Sequence, residues 1–250
     1  GWISFNADNL SATRRHYEQV RIVAHDAQDV ELATMVLANS SHAAESSGTP
    51  DIAVDYAVAA QTWAERAHNP CLNAYASDIG ACAFAAIGDY NTTMRHLENT
   101  QTYLPECSES QSSFYTYSEA LHVARRGKCL LKLGRAADAV QVIGGSLKLY
   151  DAIPPNSSLY RKTNIAMAKL DLSAAHVQAG DIDEGTAMLA DVVDFVSQNR
   201  ADRLVKRVHS IRATLEPWQE TSAVKQLDDQ LHGSGLRRLV TPTMDGEQLP

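Results

Sequence analysis

Arg125, Lys128 and Lys132 stand at i, i+3 and i+7 in a stretch with helical apolar spacing, so they share one helix face. Three cations held together could clamp a carboxylate or a phosphate. The alternative is a solvated basic stripe balanced by nearby acids. A second stripe, Arg200, Arg203 and Arg207, lies late in the chain. It reads as a solvated face or a subunit contact, because end helices commonly meet water. Catalytic chemistry is sparse. There is no phosphate-loop motif, no H-E-x-x-H and no C-x-x-C. Gly144-Gly145-Ser146 lies within a helical pattern and reads as close packing rather than a phosphate cradle. His16, His96, His122 and His209 fall among charged or polar neighbours and read as solvated. Glu18, Glu45 and Glu65 are separate helical carboxylates with no partner placed by the sequence. No nucleophile–base pair emerges, so the expectation is a binding protein with no metal, no cofactor and no enzymatic activity.

Three turns carry the elements that would position these residues. Gly88-Asp89-Tyr90, Gly134-Arg135-Ala136 and Gly180-Asp181-Ile182 follow one another at 46-residue intervals. Looser copies, Gly48-Thr49-Pro50 and Asp8-Asn9-Leu10, lie at 40-residue steps upstream. Each turn is flanked by alanine-rich apolar patterns of helical period, and strand alternation is nowhere sustained. Expected helices run over 11–24, 30–45, 51–66, 70–87, 91–102, 114–133, 137–149, 159–178, 183–198, 202–215 and 221–232. The polar stretch 104–113 reads as a loop, and 233–250 as an irregular tail. A fixed period in this range means stacked helical hairpins, each burying its apolar face on its neighbours. The expected architecture is all-α: a right-handed solenoid of antiparallel helix pairs over 1–232, with the first repeat truncated.

Counting back from the turns assigns the inner, ligand-facing side of each first helix. It receives Trp2, Phe5 and Asn6, then His42 and Glu45, then Tyr75, Asp78 and Cys82. Arg125, Lys128 and Lys132 follow, then Asp171 and Gln178. The candidate ligand-binding residues are therefore His42, Tyr75, Asp78, Arg125, Lys128, Lys132, Asp171 and Gln178.

Bulk properties narrow the function. The 250 residues are 44% hydrophobic but only 6% aromatic, so alanine and leucine must fill the core. A formal net charge of −8 argues against nucleic-acid binding through the overall field of this segment. It does not exclude a DNA-binding module elsewhere in a longer protein. Cys71, Cys82, Cys107 and Cys129 read as buried, reduced thiols of a cytoplasmic protein. Cys71 and Cys82 are too far apart along one helix to bridge. No apolar run is long enough to span a membrane, and no signal peptide is visible. The sequons at Asn9, Asn39, Asn91 and Asn156 read as chance matches.

The hairpins resemble tetratricopeptide repeats. The small positions of the first helix are Ala81, Gly127 and Ser173. Those of the second are Thr93, Ala139 and Gly185, beside bulky Leu97, Ile143 and Leu189. Ser77 and Lys169 depart from the usual large apolar residue, and the period exceeds the standard one, so the repeats are TPR-like. His176 stands where the repeat places a packed aromatic and reads as a core or groove histidine. A narrower resemblance rests on Gly127-Lys128-Cys129-Leu130-Leu131-Lys132-Leu133-Gly134-Arg135 and on Ala175-His176-Val177-Gln178-Ala179-Gly180-Asp181. The closing Leu215-Glu216-Pro217, Ser222-Ala223-Val224 and Leu227-Asp228-Asp229-Gln230-Leu231 join them. These strings resemble the C-terminal repeat domains of actinobacterial Xre-type helix-turn-helix regulators. That resemblance implies a sensor and dimerisation domain of a transcriptional regulator. It would be a homodimer with a small molecule, peptide or partner protein in the groove. DNA would be met only through an N-terminal domain absent here, and the uncapped start at Gly1-Trp2-Ile3-Ser4-Phe5 reads as a fragment's edge. The alternative is a TPR-type interaction scaffold with no DNA role.

Overall fold

The computed structural model describes residues 1–107, 117–157, 162–199 and 202–236. Among them are twelve α-helices and no strand: α1 (Trp2–Asn6), α2 (Leu10–Asp26), α3 (Val30–Ser46), α4 (Pro50–Ala64), α5 (Pro70–Ala86), α6 (Tyr90–Tyr103), α7 (Glu119–Lys132), α8 (Ala136–Asp151), α9 (Lys162–Ala179), α10 (Ile182–Asn199), α11 (Asp202–Thr214) and α12 (Ser222–Gly233). Short 3₁₀ turns follow α6 (Leu104–Glu106) and α11 (Glu216–Trp218). Residues 114–116 and 159–161, expected in helices, lie outside the described residues. So do 237–250 of the expected tail.

A two-residue turn device recurs along the chain. Asp8, Gln28, Gly48, His68 and Gly88 all have positive φ, one every 20 residues. Gly134 and Gly180 continue the series at φ +75° and +92°. Past Asp8, Gln28, Gly48, Gly88, Gly134 and Gly180 the next amide reaches back to the carbonyl five residues earlier, as Asp89 N–H does to Phe84 at 3.0 Å and Arg135 N–H to Leu130 at 2.9 Å. That is the Schellman closure, which needs a left-handed residue just past the helix. The residue after it starts the next helix. Asn9, Asp29, Asn69 and Asp89 each accept a hydrogen bond from a first-turn amide. Pro50 and Pro70 open α4 and α5 with their fixed φ. The period is 40 residues while every connection is this short. It becomes 46 where the links from α6 to α7 and from α8 to α9 lengthen.

Adjacent helices pack on one another as far as α11, α12 packs on α10, and each odd-numbered helix from α3 onward also touches the next odd one. Close crossing explains the small residues. Ser41 Oγ donates to Ala53 O and Ser173 Oγ to Gly185 O, both at 2.7 Å and both 12 residues on. Ala81 and Thr93, again 12 apart, are fully buried. A Cβ on Gly127 would collide with Ile143 Cγ1. Gly144 and Gly145 differ: a Cβ on either meets nothing within 4 Å, so the close-packing reading of that pair is corrected.

The inner row does not end open. α11 returns to touch α1, and Lys206 Nζ donates to Asp8 Oδ2 at 3.0 Å across 198 residues of sequence. The first and last parts of the repeat array thus meet.

Candidate functional site

The inner row collects charged side chains from five odd-numbered helices. Fourteen of the seventeen residues of α5 are buried, so any ion on it must be paired. Asp78 is fully buried there, with His122 Nδ1 at 3.0 Å and Arg125 Nη1 at 3.4 Å. Both partners come from α7. The Arg125 guanidinium lies 5.1 Å from the Tyr75 ring centre and 6.0 Å from that of Tyr117. Although burial alone would lower it, the Arg125 pKa is raised, first by Asp78 and then by the two tyrosines. Tyr75 Oη donates to Asn39 Oδ1 on α3 at 3.0 Å.

Glu45 on α3 is the hub of a second cluster. Its side chain is only 7% exposed. It accepts from Lys128 Nζ at 2.8 Å and, on its other oxygen, from Lys132 Nζ. Burial pushes the carboxyl pKa up, but Lys128, His42 and Lys132 outweigh it and hold Glu45 well below the usual carboxylate range. Lys128 is raised in turn: burial opposes its charge, and Glu45 overrides it.

His42 connects this hub to α11. An arginine can only donate, so the 3.2 Å contact from Arg203 Nη1 makes His42 Nε2 the acceptor. Nδ1 therefore carries the proton, and it faces Glu45 Oε2 at 3.5 Å. Burial lowers the His42 pKa to about 4, with Lys128 and Arg203 adding to it against Glu45. Arg203 lies 4.6 Å from the Phe5 ring centre and 5.7 Å from that of Trp2, a cation over two aromatic rings. No carboxylate of the described residues pairs with it, and its buried Nε has no hydrogen-bond partner. Burial lowers its pKa. Nearby, Arg207 Nη2 donates to Asp171 Oδ1 on α9 at 3.0 Å.

Of the expected ligand-binding residues, His42, Lys128 and Lys132 meet at Glu45. Arg125 and Asp78 pair with each other beside Tyr75, and Asp171 pairs with Arg207. Gln178 stands apart, exposed at the end of α9. His176 lies close to it, 3.4 Å from Asp181. Three readings need correction. The stripe 125-128-132 is balanced by acids, but its side chains are largely enclosed rather than solvated, at 16%, 21% and 25% exposure. His122 is buried, because the charged neighbours that made it look solvated are themselves on the inner face. Arg203 and Arg207 face inward, because α11 obeys the same odd-helix rule as α7 (Arg200 lies outside the described residues). Glu45 was placed on the inner face by spacing, but its partners lie 83 and 87 residues away, beyond any local pattern.

Five cations (Arg125, Lys128, Lys132, Arg203 and Arg207) thus face three carboxylates (Glu45, Asp78 and Asp171) in a chain of net charge −8. The inner row is a cationic exception within an acidic protein. No protein-family model matches the chain, and neither does any curated protein. No described helix is long and apolar enough to cross a membrane.

Proposed function

We propose that this chain is the regulatory domain of a cytoplasmic, homodimeric transcriptional regulator, and that its inner row takes an anionic small molecule or an acidic peptide. One observation carries the proposal. Arg203, half-buried and in no ion pair among the described residues, joins α11 to α1 and α3. An anion at that guanidinium draws on the cationic surplus and changes how α11 holds the start of the chain. Such a ligand favours one shape over another by its differential affinity, which is what a sensor requires. The resemblance to Xre-type regulators supplies the output, a DNA-binding module on the same polypeptide. The experiment is native mass spectrometry of the full-length protein, followed by thermal shift with inorganic phosphate and with a short polyglutamate peptide. One of the two anions should raise the midpoint, and Arg203→Met should abolish the rise. Lys206→Met is the control, since Lys206 is 65% exposed. No shift with either anion, or an equal shift in Arg203→Met, refutes the binding proposal.

The interaction-scaffold reading is favoured by a different observation. Ile22 and Val23 on α2 and Ile52 and Val58 on α4 are exposed apolar residues on even-numbered helices. A reading frame upstream of Gly1 that encodes no helix-turn-helix segment would decide for it.

A further inference from the structure

All four cysteines carry free thiols, yet Cys82 Sγ and Cys129 Sγ lie only 3.8 Å apart. They belong to neighbouring inner helices, α5 and α7, which pack directly on each other. Cys82 follows Asp78 by one turn, and Cys129 follows both Arg125 and Lys128, so the pair adjoins the charge network. We propose that Cys82 and Cys129 form a reversible disulfide that locks α5 to α7 when the protein meets a hydroperoxide.

The geometry favours this pair. Each residue is buried, at 4% and 0% exposure, and the two sulfurs contact each other directly. A bond requires the sulfurs to close from 3.8 Å to about 2.05 Å. The two thiols are also unequal. Cys129 donates to Cys82, which lowers the Cys82 pKa, and Lys128 and Arg125 reinforce this against the effect of burial. The same contact raises Cys129. Cys82 is therefore the attacking sulfur and Cys129 the resolving one.

The chemistry balances with a hydroperoxide as the sole oxidant. The Cys82 thiolate attacks one peroxide oxygen, the O–O bond breaks, and the alkoxide leaves with a proton as alcohol or water. Cys82 is now a sulfenic acid. The Cys129 sulfur attacks the Cys82 sulfur, the S–S bond forms, and the displaced hydroxide departs as water with the Cys129 proton. Two thiols and one hydroperoxide give one disulfide, one alcohol (or water) and one water.

The test treats the full chain with hydrogen peroxide, blocks remaining thiols with iodoacetamide and maps peptides without reduction. The expected product is a cross-linked peptide joining Cys82 to Cys129, an intact mass lower by two hydrogens, and full reversal by dithiothreitol. The oxidised form should melt at a higher temperature than the reduced one. Cys129→Ala should stop at a Cys82 sulfenic acid that dimedone traps, and Cys82→Ala should give neither product. Circular dichroism checks that both variants remain helical. If either is not, alkylation rates of the wild type decide: Cys82 and Cys129 must become protected together, with one time course. Four thiols still free after oxidation, a Cys71–Cys107 cross-link alone, or dimedone labelling unchanged by Cys129→Ala would each overturn the proposal.

Discussion

Replacing Glu45 by glutamine removes the charge that holds two lysines of α7 against α3. The size of the effect follows from exposure. At a water-exposed site an ion pair contributes about 0–1 kcal/mol. In a sealed interior, deleting one partner costs about 3–5 kcal/mol, because the other charge stays behind uncompensated. Lys128 and Lys132 lie between these limits, at 21% and 25% exposure, so each should lose about 1 kcal/mol. The weakened His42 contact adds a fraction more. The expected total is about 2–3 kcal/mol, a fall in melting temperature of roughly 4–12 °C for a chain of this size. Urea denaturation followed by circular dichroism measures it. Acid titration supplies a signature that a packing defect would not. The native Glu45 pKa is depressed, so the wild type keeps this stabilisation above its unfolded-state value, near pH 4, and loses it as pH falls through the native value. The variant has no such limb, so the two stability curves should converge in acid. Adding Lys132→Met to Glu45→Gln should recover part of the loss in a double-mutant cycle. A variant within about 0.5 kcal/mol of wild type at neutral pH, or curves that stay parallel into acid, would refute the hub assignment.

Three further outcomes follow from the same geometry. His42 titrates near pH 4 in the fold and near 6.5 when unfolded. The stability it lends is therefore complete above pH 6.5 and drains away toward pH 4, by up to about 3 kcal/mol; chemical denaturation across that window should show a steeper fall in wild type than in His42→Gln, and equal slopes would count against the buried neutral imidazole. Gly127→Ala drives a methyl into Ile143 and should cost about 1–3 kcal/mol, whereas Gly144→Ala, in open space on α8, should gain up to about 1 kcal/mol; thermal melts that rank the two the other way would show that α7 and α8 cross elsewhere. Arg203→Met keeps an apolar stem over Phe5 but gives up the guanidinium donors to His42, so proteolysis at the α10–α11 link should accelerate, and an unchanged cleavage rate would mean that α11 is held by apolar packing alone.

The pairing of helices was legible because four of its turns carry glycine, the residue that takes positive φ without strain. Gln28 and His68 serve the same role but belong to residue types with no turn signature, so the underlying 20-residue step stayed hidden behind the 40- and 46-residue periods. Counting back from the turns put Asp78, Arg125 and Lys128 on one side of their helices, since side-chain direction is a local property. Their partners were not legible, because ion pairs across 47 to 87 residues depend on how successive hairpins stack. Arg203 was misread for the same reason. The contacts of α11 with both α9 and α1 place an end helix in the inner row.

Stability alone does not account for the inner row. Buried ion pairs are often matched or exceeded by apolar residues of similar volume, and the interfaces between α3, α5 and α7 already contain apolar contacts such as Leu72, Ile79 and Ala81. What charged groups add is exchangeability. Glu45 presents two carboxylate oxygens to two ammonium groups, the chemistry that a ligand carboxylate or phosphate would offer. On the proposed function, a competing anion would take over the lysines without leaving them unpaired, and would also meet Arg203, whose Nε has no hydrogen-bond partner. The displaced Glu45 would then have to shed its charge or reach water, and on that proposal α3 would move against α7. That argument makes Glu45→Gln informative twice. The variant should be less stable without ligand and bind inorganic phosphate more tightly than wild type, because the internal competitor is gone. Loss of stability together with weaker phosphate binding would show that Glu45 belongs to the ligand's own site rather than holding its place.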